Sequence, residues 1–320
     1  MKTLVTGSGG FVGKHLVPAL KQAGHQVIEA VRAEHEGSDK LDATIIPVGD
    51  IGPNTDWRDA LMGIDVVVHL AGRAHVMNET EADPEAAYKK INVDGTRRLA
   101  EQAVKSGVKR LIFLSSIKVN GEATDYKPFR PADMPDPQDA YGRSKAAAES
   151  ALWMTSRDSQ LAVTVLRSPL IYGAGVKGNF FKLLRAVDQG RILPLGGVTK
   201  NRRSLVFVGN LCAAVLECLE NPEAANKIYL LSDGKDLSTA SLLVRTSKAL
   251  GRPARLLTLP VGLLILAGQL TFRRETIARL TGSLRIDDSD IRRDLGWSPP
   301  YTIEEGLKQT AIWLQTEDSG

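Results

Sequence analysis

The chain has 320 residues, 43% hydrophobic and 24% charged, which suits a globular protein with one large or two modest domains. A formal charge of +4 without a dense Lys/Arg block gives no case for nucleic acid and suits an anionic small molecule. The two cysteines, Cys212 and Cys218, sit in an apolar helical stretch without metal-ligand spacing, so they read as free thiols of a reducing cytoplasm and no metal is expected.

Residues 1–15 read as strand, glycine turn and helix. Leu4 and Val5 lead into Gly7, Gly10 and Gly13, and Leu16, Val17 and Leu20 then follow helical spacing. Gly7 permits a tight turn, Gly10 lets the backbone approach a pyrophosphate, and Gly13 lets the helix pack closely on the strand. The unpaired N–H groups that open this helix, beginning at Phe11 and Val12, face an anion together with its positive dipole end. The N-terminus runs directly into a strand, so no cleaved signal is expected and the reading is cytoplasmic.

Gln26 to Val31 is a second strand. An NAD site would place Asp or Glu at its end for the ribose 2′-OH; here Val31 is followed by Arg32, which favours NADP over NAD. A third short strand (Ile45, Ile46, Val48) leads to Asp50 and Ile51, where Asp50 could accept from an adenine amino group. The apolar run Asp65 to Leu70 reads as a strand buried on both faces, and Ala71-Gly72 leaves bare backbone beside the cofactor. Helical patterning from Pro84 to Ser106 includes Asn92, and Val108 to Leu114 is a further buried strand ending at Ser115-Ser116.

Strands alternate with helices to about Val165. The expected fold is therefore α/β, a doubly wound parallel sheet of Rossmann type with a smaller C-terminal α/β substrate domain. The expected division is a dinucleotide-binding domain over 1–168, with 204–231 returning to it, and a sugar-binding domain from 169–203 and 232–320. The most apolar stretch, Leu256 to Phe272, is interrupted by Pro260 and Gln269 and reads as a core or interfacial helix rather than a membrane span.

Ser116 falls at the carboxyl end of a central strand, where such sheets place their active sites. Tyr141 and Lys145 stand at i and i+4 on a helix, sharing one face. A phenol titrating near 10 must move by about three pH units to work near neutrality. A neighbouring ammonium moves it that way. Ser116 would hydrogen-bond the reacting oxygen.

With these residues in this order, the chain resembles an extended short-chain dehydrogenase/reductase of the UDP-hexose 4-epimerase and nucleotide-sugar 4-keto reductase branch. The likeness is carried by TGSGGFVG, HLAG, NVDGT, FLSSIKVNGE, YGRSK, RSPLIYG, NRRSLVFVGNL and LGWSPPYTIEEGL, and it covers essentially the whole chain. The resemblance implies Tyr141 as acid/base, Lys145 as its partner and Ser116 as the hydroxyl aid. It implies cofactor contacts from the glycine turn, Asn92 and Pro169, and substrate contacts from Asn179 and Arg203 on a UDP-sugar, with Lys118 and His75 lining the sugar pocket. A homodimer through the helices starting near Pro84 and Tyr141 is also a family expectation.

Departures from the family pattern matter as much. Dehydratases of the family carry Asp-Glu after the hydroxyl residue, whereas here Ile117-Lys118 stands there and argues against dehydration. Asn120 replaces the usual Tyr, and Leu170 stands where many epimerases have a substrate-binding Asn. The leading expectation is an NADPH-dependent 4-keto reductase acting on a UDP-(6-deoxy-)N-acetylhexosamine for surface polysaccharide. The alternatives are a UDP-glucose or UDP-N-acetylglucosamine 4-epimerase with retained NAD, and a non-catalytic dinucleotide-binding regulator.

Overall fold

The computed structural model describes residues 1–32, 44–74, 81–271 and 274–317. Its strands are β1 (Lys2–Thr6), β2 (Gln26–Val31), β3 (Ile45–Pro47), β4 (Val66–His69), β5 (Arg110–Ser116), β6 (Ala162–Ser168), β7 (Leu170–Tyr172), β8 (Leu205–Phe207) and β9 (Lys227–Leu230). Seven of them form one sheet in the order β3-β2-β1-β4-β5-β6-β9, every pair parallel, while β7 and β8 pair separately. This is the doubly wound parallel sheet expected from the alternation of strands and helices. The direction of winding reverses between β1 and β4, so a crevice opens at their carboxyl ends.

The strands are apolar on both faces because helices cover both. Val5, Val68, Ile112 and Leu166 point into one core, and Leu4, Val67, Phe113 and Val165 into the other. The first core is covered by α1 (Phe11–Gln22), through Leu16 and Leu20. On the other face lie α2 (Pro84–Tyr88), α3 (Thr96–Lys105) and α4 (Ala140–Arg157), with Leu99, Ala148 and Leu152 fully buried. The chain then adds α5 (Gly178–Asp188) and α6 (Val208–Glu220), and α6 packs beside α1. Arg110 Nη1 donates to the carbonyls of Cys218, Leu219 and Asn221, placing a cation on the carbonyl end of α6. The C-terminal part comprises α7 (Thr239–Ala249), α8 (Val261–Leu270), α9 (Arg274–Thr281), α10 (Ser289–Leu295) and α11 (Ile303–Glu317).

The stretch read as one helix from Pro84 to Ser106 is not uniform. Between α2 and α3 it widens into a π-helical segment, Lys89–Gly95, which buries Asn92 and Gly95. Such a bulge turns side chains that an α-helix would leave on its flank, and it often marks a functional site. Gly95 is needed here, because a Cβ would lie 2.6 Å from Ile51 Cγ2.

The glycine turn joins sheet and helix through backbone contact. A Cβ on Gly13 would lie 2.3 Å from the Gly7 carbonyl oxygen, and one on Gly7 would lie 2.8 Å from Ala71 N. Gly7 also has φ of 73°, which L side chains seldom adopt. Replacing Gly13 with Ala therefore forces α1 off β1. The variant should lose about 1–3 kcal/mol in a urea titration, and unchanged stability would contradict the contact.

Candidate active site

At the carboxyl edge of β1, the turn presents the start of α1. Its N-cap, Gly10, offers no side chain to the first helical N–H groups, so those of Phe11 and Val12 remain available to an anion. Ser8 Oγ is buried in the same turn without a hydrogen-bond partner among the described residues. An uncapped helix start, an orphaned hydroxyl and a glycine-rich turn fit the diphosphate of a dinucleotide. Leu70, Ala71 and Gly72 follow β4 across the crevice from this turn.

Arg32 and Asp50, read separately from the sequence, face each other in the structure. Arg32 Nε lies 3.4 Å from Asp50 Oδ1, and both side chains are exposed. The side chain of Ile51 packs over Gly95. Pro169 links β6 to β7 at the sheet's carboxyl edge. His75 lies outside the described residues.

Ser116 ends β5 and Tyr141 opens α4, whose N-cap Asp139 accepts from Gly142 N at 2.7 Å. The Tyr141 and Ser116 hydroxyls are hydrogen-bonded to each other. The expectation that the phenol titrates low is not met here: burial pushes it up to about 12, outweighing the Ser116 hydrogen bond, with Asp139 and Tyr88 adding to the rise. Its partner moves instead. Burial lowers Lys145 to about 7, against the pull of Glu149. Lys145 Nζ sits 4.1 Å above the centre of the Phe113 ring.

Gly72 leaves room for Asn92, since a Cβ there would lie 3.0 Å from Asn92 Oδ1, and it lies beside Lys145, whose Nζ such a Cβ would meet at an ordinary 3.9 Å. Asn92 is engaged with the protein. It accepts from Arg73 N at 2.7 Å and donates to Arg73 O at 3.0 Å and Ser144 Oγ at 2.9 Å. It thus ties the loop after β4 to α4, beside Lys145.

Behind the trio lies a buried network that the sequence reading missed. Glu149, one turn after Lys145, is paired with Arg167 at 2.7 Å, and the two side chains are only 4% and 3% exposed. Ser115 also donates to Glu149, Arg167 Nη1 donates to Asn120 Oδ1 at 2.9 Å, and Asn120 donates to Arg130 O. The signal was present, because Tyr141, Lys145 and Glu149 repeat at i, i+4 and i+8. His69, at the end of β4, is also buried; burial and Lys145 hold it down to about 3, so it is neutral between Thr6 Oγ1 (2.7 Å) and Thr96 Oγ1 (2.9 Å).

The expected substrate residues are spread around this edge. Lys118, two residues after Ser116, pairs with Glu122 at 2.6 Å and with Asp139. Arg203 Nη1 donates to Arg279 O at 2.8 Å, and burial lowers its pKa against the pull of Glu122. Asn179 is exposed in the first turn of α5, which has no side-chain cap. Among the described residues there is no cluster of potential metal ligands and no helix long and apolar enough to cross a membrane.

A parallel sheet with a glycine turn at its switch point and a Ser-Tyr-Lys trio at its carboxyl edge defines an enzyme of the extended short-chain dehydrogenase/reductase class. Residues 3–232 match the NAD dependent epimerase/dehydratase family, and the chain belongs to it. It is 44% identical to a UDP-glucose 4-epimerase of Vibrio cholerae over 96% of this chain and 94% of that protein. It is 28% identical to an N-acetyl-alpha-D-glucosaminyl-diphospho-ditrans,octacis-undecaprenol 4-epimerase of Escherichia coli O157:H7, over 96% of this chain and 93% of that one. Among solved structures it is similar to MoeE5 in complex with UDP-glucose and NAD, with a TM-score of 0.78, 25% identity and 99% of each chain covered.

The buried ammonium gives a pH signature. Between about pH 7 and the ordinary lysine value of 10.5, the unfolded chain keeps a proton that folded Lys145 has released. Stability of the protein stripped of nucleotide therefore rises with pH in this window through Lys145, and below it the cost of the buried charge is fully present. Lys145→Met should be more stable than the wild type at pH 7 in urea titrations, with the advantage shrinking by pH 10. An advantage independent of pH would show that the ammonium carries no burial cost.

Proposed function

We propose that the chain is a UDP-hexose 4-epimerase that retains NAD. The observation that carries this over the 4-keto reductase expected from the sequence is the 44% identity, along nearly the whole chain, to a UDP-glucose 4-epimerase. The electrostatics at Arg32 point the same way. A 2′-phosphate there would meet the Asp50 carboxylate as well as the guanidinium, so the case for NADP built on Arg32 loses its force. An epimerase recycles its cofactor within the site and does not need the exchangeable NADPH of a reductase.

Bound NAD supplies a reversible hydride acceptor; the chain's own residues handle the proton and the sugar. Tyr141 removes the proton of the C4 hydroxyl and returns it to the C4 oxygen, with Ser116 hydrogen-bonding that oxygen. Burial opposes ionisation of the phenol, and a charged Lys145 favours it. Glu149 is the positioning residue that supports this charge, and Arg167 holds Glu149 in place. Asn92 and Gly72 set the floor beside Lys145. The glycine turn, through the N–H groups of Phe11 and Val12, holds the cofactor diphosphate.

The sugar nucleotide is held by the region of 169–203 and 232–320, with Asn179 and Arg203 directed to its diphosphate. Lys118, locked between Glu122 and Asp139, orders the loop after β5 and the start of α4. Ile117-Lys118 leaves no carboxylate pair for dehydration. A homodimer formed through α2 and α4 remains part of the reading.

Tyr141→Phe tests the assignment. Incubated with UDP-glucose and, separately, UDP-N-acetylglucosamine, the wild type should invert C4 without net cofactor turnover. The variant should lose about 10²–10⁴-fold in kcat with KM little changed. Full activity of the variant would remove Tyr141 from the chemistry. Conversion only of a 4-keto sugar with added NADPH would restore the reductase.

A further inference from the structure

The C-terminal part carries an apolar surface that the catalytic reading does not use. In α8, Leu264 and Gly268 face inward, and Gly268 lies so close to α9 that a Cβ would be 2.7 Å from Ile277 Cγ1. The opposite face bears Leu263, Leu266 and Leu270, which recur at i, i+3 and i+7 and are 55%, 51% and 73% exposed. Apolar side chains therefore line both sides of this helix, although only one side is packed. Leu257 adds to the exposed surface just before α8, and Ile192 lies on the neighbouring segment, where Leu193 pairs with Leu256.

Charge selects the occupant. From Asp236 to Glu275 the sequence contains Arg245, Lys248, Arg252, Arg255, Arg273 and Arg274 and no acidic residue between those two. Arg245 is paired with Glu304 and Arg252 with Asp188. Among the described residues, Arg255 donates to the neutral carbonyl of Gly190 and neither it nor Arg274 has an acidic partner. Exposed leucines beside a basic segment, in which Arg245 and Arg252 are paired with acids but Arg255 and Arg274 are not, suit the interface of an anionic bilayer, where apolar side chains enter the acyl boundary and guanidinium groups stay with the headgroups. At ten residues, α8 is about 15 Å long, half the roughly 30 Å of a hydrocarbon core. It can lie in the interface but not cross it.

We propose that α8 and its basic flanks dock this protein on the surface of anionic membranes. The inference is independent of which sugar the active site takes. It predicts that the full-length protein co-sediments with vesicles of 70% phosphatidylcholine and 30% phosphatidylglycerol and much less with pure phosphatidylcholine, and that binding falls as salt rises. Leu266→Ser combined with Leu270→Ser should weaken binding at least about tenfold. Arg255→Glu combined with Arg274→Glu should abolish the preference for anionic vesicles. Both variants should keep the wild-type circular dichroism and thermal midpoint, which separates loss of docking from misfolding. Equal sedimentation with the two vesicle types, or none with either, would overturn the proposal. So would light scattering that shows a dimer converted to monomer by the leucine substitutions, since a second copy of the chain would then cover this face.

Discussion

The burial of one ammonium group organises the centre of this molecule. Lys145 sits over the Phe113 ring, with Glu149 one helical turn behind. Burial alone drives the group towards its neutral form, and the Glu149 carboxylate works against that. Glu149 is itself buried, and it is held by Arg167 from the neighbouring strand and by Ser115 from the strand that delivers Ser116. Removing either charge of such a pair leaves the other uncompensated in the core. The positions of α4, β5 and β6 are thereby tied to Lys145.

The same edge explains why small residues recur where they do. Gly7, Gly13 and Gly72 each stand where a Cβ would meet backbone or a working side chain. These contacts bring three segments distant in sequence together at one edge of the sheet: the turn after β1, the loop after β4 and the start of α4. The π-helical segment completes the junction by turning Asn92 inward to hold the loop after β4 against α4.

Much of this was legible in the residues. The strand-turn-helix opening, the continuous apolar strands and the Tyr141-Lys145 spacing depend on local pattern, and the sheet follows from their alternation. Pairings between distant segments were not legible. Nothing in sequence places Asp50 opposite Arg32, or Asp139, 21 residues away, beside Lys118. The helical patterning around Asn92 held no sign of the π-helical segment, since a π bulge has no simple periodic signature. The rise in the Tyr141 pKa likewise depends on burial, which one helix face does not disclose.

The departures from the wider family fit one picture. Where dehydratases carry two carboxylates after the hydroxyl residue, this chain carries Ile117, which is buried in a small core with Leu230, Leu284 and Ile286, and Lys118, which is locked by two acids. Asn120, in place of a tyrosine, joins the Arg167 network. That segment supports the Ser116, Tyr141 and Lys145 cluster and brings no carboxylate pair of its own, which fits the proposed action on a single carbon. The most direct test follows the hydrogen on that carbon. UDP-glucose deuterated at C4, incubated with the purified protein and no added nicotinamide, should yield UDP-galactose with the deuterium still at C4. Loss of the label to solvent, or an absolute need for added NADPH, would contradict an epimerase that holds its own NAD.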